Sequence, residues 1–154
     1  MYSKEEEKEI KLQFWGSLNS KFEATKGVHG NKVAWMSFNT KIKSLFFRME
    51  ADREGARLCI DIQFLDESMR ELFYEQFTEF ENILQERFSN NLVWLPKFEH
   101  TNGRTIARIY SERRGINMYN RDDWDEIHKF LLSEFVKLEA FWAEFGEVFW
   151  NLKN

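Results

Sequence analysis

The feature that most narrows the fold is a ribbon between Ser44 and Gln63. Asp52-Arg53-Glu54-Gly55 carries the Asp at its first position and the Gly at its fourth that suit a type I turn. Folding the chain there sets Ala51 against Ala56, Met49 against Leu58, Phe47 against Ile60 and Leu45 against Ile62, all apolar. The other face carries Glu50 against Arg57, Arg48 against Cys59, Phe46 against Asp61 and Ser44 against Gln63. Side chains alternate along a strand, so a slip of one residue would turn the apolar set outward; the pattern specifies both pairing and buried face.

Helices flank this ribbon. Ser3 and Glu6 form a capping box, and Ile10, Phe14, Leu18 and Phe22 recur at four-residue spacing, which predicts an amphipathic helix over 4–25 ending near Gly27. Gly27, His29, Gly30 and Asn31 read as a loop, and Val33 to Phe38 as a short strand. After Leu65, Asp66 or Ser68 caps a helix with Met69, Leu72, Phe73, Phe77, Phe80, Leu84 and Phe88 on one face. Leu92 to Phe98 and Arg104 to Ser111 form a second hairpin around Thr101-Asn102-Gly103, with Gly103 at the left-handed position and Pro96 requiring an edge or a break. Ile116 to Tyr119 reads as a fifth strand. Asp123 with Glu126 makes another capping box, and apolar residues from Trp124 to Leu152 recur at threes and fours. That helix would be roughly 45 Å long, with Gly146 as its candidate kink. The expectation is an α+β single domain over 1–154, an antiparallel sheet of four to five strands with three helices in the order α-β-β-β-α-β-β-α. With an offset of 58, the apolar positions of the middle helix fall on those of the last, an echo that either duplication or the shared helical period explains.

Several segments together resemble a family of bacterial domains of unknown function, found alone or C-terminal to restriction-like nuclease domains. They are Trp35, Thr40-Lys41-Ile42-Lys43, Phe47 through Asp52, Glu71 through Phe77, Leu92-Val93-Trp94, Ile106 through Tyr110, and Asn120 with Asp123-Trp124. The resemblance spans nearly the whole chain and implies a fold and a stand-alone member. It supplies no catalytic residues.

Composition excludes several classes. A formal charge of -4 argues against a surface that wraps nucleic acid throughout, because phosphate binding draws on a net basic field. The single cysteine, Cys59, cannot form an internal disulfide, which points to a reducing, cytoplasmic setting. The N-terminus lacks the basic and apolar regions of an export signal, and the apolar runs are too short to span a membrane. Cys59, His29, His100 and His128 are too scattered for a zinc site, and no phosphate or dinucleotide loop is present, so no metal and no cofactor are expected. A restriction-type nuclease would need an acid followed by a Glu-x-Lys or Asp-x-Lys triplet. Glu50, Asp52 and Asp61 are the candidate acids, but Asp61-Ile62-Gln63 has glutamine in place of lysine. The alternative pairs Glu50 with Arg57 and leaves Asp61 facing water or a neighbour.

Two surfaces stand out. Lys97, Arg104, Arg108, Arg113, Arg114 and Arg121 against Glu99 and Glu112 give a local +4, against -8 for the rest of the chain. With Tyr110 they form a candidate nucleic-acid or anion site, the alternative being arginines paired with the acidic helices. Aromatics make up 17% of the chain, and Phe141, Trp142, Phe145, Phe149 and Trp150 spread around more than one face of the last helix. They are either core or a self-association or protein-partner surface. The leading reading is a non-enzymatic interaction module, followed by a nucleic-acid accessory domain and then by a divalent-metal nuclease-like enzyme.

Overall fold

The first ribbon pairs as its alternation requires. In the computed structural model, which describes residues 2–27 and 29–152, β1 (Leu45–Ala51) and β2 (Gly55–Ile62) run antiparallel with Leu45 opposite Ile62, Phe47 opposite Ile60 and Met49 opposite Leu58. The Asp52 carboxylate closes the turn by accepting the N–H groups of Glu54 and Gly55 at 2.9 and 3.1 Å. The second hairpin consists of β3 (Val93–Glu99) and β4 (Thr105–Arg114), with Gly103 at φ 82° in its loop. A side chain at Gly55 would strike the Arg113 carbonyl, so only glycine lets β4 lie against the start of β2. All pairs are antiparallel in the order β1-β2-β4-β3.

Among the described residues four helices complete the fold: α1 (Lys4–Glu23), α2 (Glu67–Glu79), α3 (Glu81–Arg87) and α4 (Trp124–Leu152). The Ser3–Glu6 capping box forms, and the Asp66 side chain accepts the Ser68 N–H at 2.8 Å to start α2. The helices share one core with the apolar side of the sheet: Phe47, Leu58, Ile60 and Ile109 pack with Phe14, Phe22, Phe73, Phe77, Phe135 and Phe149. Each buried ring of this kind stabilises by roughly 2–3 kcal/mol relative to exposure. The side chains on the opposite side of the sheet bond to one another instead.

Local readings fail where tertiary partners intervene. Val33 to Phe38 is not a strand: residues Trp35–Ser37 form a 3-10 turn, because the Trp35 ring stacks on Phe22, meets Phe135 edge-on and donates its Nε1 proton to the Thr25 carbonyl at 3.2 Å. Ile116 to Tyr119 adds no strand, since the Gly115 and Met118 N–H groups donate to Glu54 and Asp52 in the first turn. The middle helix breaks at Phe80, whose ring lies against Phe141, Phe145 and Phe149. The Asp123–Glu126 box is absent: Asp123 accepts the Asn117 N–H, while Glu126 is held by Arg113. Helix α4 runs continuously through Gly146, where the Trp142 ring fills the space of a side chain. The order is therefore α-β-β-α-α-β-β-α. The offset of 58 suits the helices but not the strands, as β2 and β4 begin at 55 and 105.

Candidate functional site

β1 is an edge strand, and the ladder identifies its free groups. Gln63 N–H donates to Ser44 at 2.7 Å and Asp52 N–H to Gly55 at 3.0 Å, so the even-numbered residues between them face β2. The N–H and C=O groups of Leu45, Phe47, Met49 and Ala51 therefore point away from the sheet. Leu45 is already satisfied: its N–H donates to Ile42, and its carbonyl accepts the Thr40 hydroxyl at 2.9 Å. Phe47, Met49 and Ala51 are left with outward backbone groups that no other described residue meets.

A cavity of about 460 Å³ wraps this edge. Trp15, Trp35 and Met36 line it on the helical side, and Arg48, Glu50, Gln63, His100 and Asn102 line it on the other. Met36 is exposed and Trp15 half-buried, so the edge is framed by accessible apolar surface. Among the described residues, no helix is long and apolar enough to cross a membrane.

Behind the edge lies a network of buried charge. Arg108, 4% exposed, grips the fully buried Asp61 at 2.7 and 2.9 Å and reaches Glu50 at 3.1 and 3.2 Å. Its guanidinium also stacks on Phe98. Arg57 binds Glu50, Asp52 and Glu112 at 3.0, 2.6 and 3.1 Å. Burial raises the Glu50 carboxyl, but the charges of Arg108 and Arg57 and their hydrogen bonds outweigh it and leave the group below the usual carboxylate range. Asp52 is lowered likewise, with burial opposed by the Glu54 N–H and Arg57. Burial pushes the Cys59 thiol well above its ordinary value.

The sequence-derived surfaces do not assemble as patches. Arg108 is sequestered, and its partners are strand acids rather than helical ones; Asp61, expected to face water or a neighbour, faces a neighbour, Arg108 of β4, and is fully buried. Arg113 points to the helical side and binds Glu126 at 2.8 Å. Arg104 donates to the Gln63 carbonyl at 3.1 Å, Lys97 lies 3.5 Å from Glu67, and Arg114 pairs with Glu112 and Glu54 at 3.6 and 3.8 Å. Arg121 stacks on Trp124 and bonds Gln13, while Tyr110 is half-buried opposite Val93 and Cys59.

On the last helix, Phe141, Trp142 and Phe149 belong to the core, and Phe145 is half-buried against Phe80. Trp150, 37% exposed, serves the fold, since its Nε1 donates to the Thr40 carbonyl at 2.9 Å, as does that of Trp142 at 3.3 Å. Both tie α4 to the loop that precedes β1. Of the groove residues, Trp35 entered the sequence reading only through the family resemblance, and Trp15 and Met36 carried no signal as a site. The one signal for the edge they line was the contrast between Pro96 in the second hairpin and an uninterrupted 45–51 in the first.

No curated protein and no solved structure matches this chain. A family model does, over residues 10–146, and the chain belongs to that family, described as a domain of unknown function (DUF4268).

Proposed function

We propose that this domain is a non-enzymatic protein-interaction module that takes up an extended strand along the β1 edge. The observation that carries the reading is the set of outward backbone groups on Phe47, Met49 and Ala51, unmet by any other described residue and bordered by the Trp15–Trp35–Met36 groove. Main-chain hydrogen bonds supply affinity in such additions, and pockets for alternate side chains supply selectivity. Nucleic-acid binding has less support, because Arg108 is spent on Asp61 and Glu50, and Arg113 lies on the opposite side of the sheet from Arg104. A nuclease-like role has less still, since Glu50, Asp52 and Asp61 each hold an arginine.

Peptides selected from a random library for binding provide the test. They should slow amide exchange at Phe47, Met49 and Ala51, and Met49→Pro should abolish their binding. Protection that maps to β3 or to the helices instead would remove the reading.

A further inference from the structure

We infer that the strand received by β1 is β1 of a second copy of this chain, antiparallel and centred on Met49. The inference rests on the free edge proposed above and adds its occupant. Two copies related by a two-fold axis can pair only through residues whose N–H and C=O groups point outward, which restricts the register. A centre on Phe47 would recruit Leu45, whose outward groups are already engaged by Ile42 and Thr40. A centre on Ala51 would run into the turn at Asp52.

Three centres remain. A centre on Arg48 sets two arginines directly opposite, and one on Glu50 sets two carboxylates opposite; like charges so placed destabilise a strand pair. The Met49 centre sets Arg48 against the second copy's Glu50, twice by symmetry. On the other face it sets Phe47 against Ala51, large against small, with Met49 on the axis. The Arg48 and Glu50 side chains are accessible for the charge contacts, while Phe47 is buried against Phe38 and Trp142. The Arg48 side chain is 48% exposed, with its guanidinium over Phe46 and its nearest acid, Asp61, at 4.0 Å. Glu50 is 34% exposed, and among the described residues its Oε2 accepts only Arg108. Met36 and Trp15 would be covered by the incoming strand. About six backbone hydrogen bonds would join the copies, and the sheet would continue as β3-β4-β2-β1-β1-β2-β4-β3.

Sedimentation and symmetric cross-linking test this. On the axis, residues 49 lie about 5.5 Å apart between Cα atoms, within disulfide reach. Residues 51 are about four residues out of step, on the order of 13 Å. Met49→Cys should therefore form a covalent dimer under mild oxidation, whereas Ala51→Cys and the native protein, with Cys59 buried, should not. Arg48→Glu should weaken association at least tenfold while the variant unfolds cooperatively. Cross-linking of Ala51→Cys as readily as Met49→Cys, or undiminished association of Arg48→Glu, would overturn the register. A strict monomer across micromolar concentrations would overturn the inference. In that monomer, fast amide exchange at Phe47, Met49 and Ala51 leaves the open-edge reading standing, while slow exchange removes both.

Discussion

The two edges of the sheet differ. β3 carries Pro96, which has no N–H to donate, then Lys97, and its register with β4 shifts between Leu95 and Phe98. Proline, lysine and bulges are the devices by which sheets refuse further strands. β1 has none of them: seven residues pair with β2 without a shift, and the outward groups of Phe47, Met49 and Ala51 bond to no other described residue. The chain thus protects one edge of its sheet with these devices and leaves them out of the other.

Four substitutions break or sharpen this contrast. Arg108 fixes the sheet behind β1, and Arg108→Ala strips the buried Asp61 of its two short guanidinium bonds and leaves it with Arg48 at 4.0 Å; we expect a loss of about 3–5 kcal/mol in denaturant unfolding. The same network is acid-sensitive. Glu50 and Asp52 have lowered carboxyls, so their contribution is complete above about pH 4.3 and is lost as the pH falls through their folded values.

Met49→Pro distinguishes edge from core on the same strand. The lost N–H faces outward, so folding should change by about 1 kcal/mol while strand addition fails, measured by thermal unfolding and sedimentation.

His128 provides a control within the helical layer. Its ring is buried against Phe14 and Trp124, and neither nitrogen has a hydrogen-bond partner among the described residues. Burial and then the Lys21 charge lower its pKa, which the Asp125 charge only partly opposes. Its contribution is therefore complete above about pH 6.5 and is lost as the pH falls through the folded value. The slope is at most about 1.4 kcal/mol per pH unit, and His128→Phe should flatten it. Pro96→Val should have the smallest effect on stability, under about 1 kcal/mol, yet should raise concentration-dependent association through β3.

The first ribbon was legible because its alternation excludes every other register, and the capping box and four-residue stripe of α1 were legible for the same local reason. Asp61 was not, because what lies beside β2 depends on β4, whose Arg108 arrives from 47 residues away. The ring excess in the sequence fits either a core or a partner surface. Phe141 and Phe149 belong to the core because Phe77 of α2 and Phe80 at the break lie against them, and Trp150 serves the Thr40 carbonyl. The open edge could not be read directly, since strand order is set by which hairpins meet; only the placing of Pro96 hinted at it.

Cys59 sits at the middle of β2, fully enclosed beneath this charged lattice. A thiol reagent can reach it only when the guanidinium cover lifts or the strands part, so its labelling rate serves as a built-in clock for opening of the sheet. Docking a strand on β1 should slow that clock without any contact to the sulfur itself.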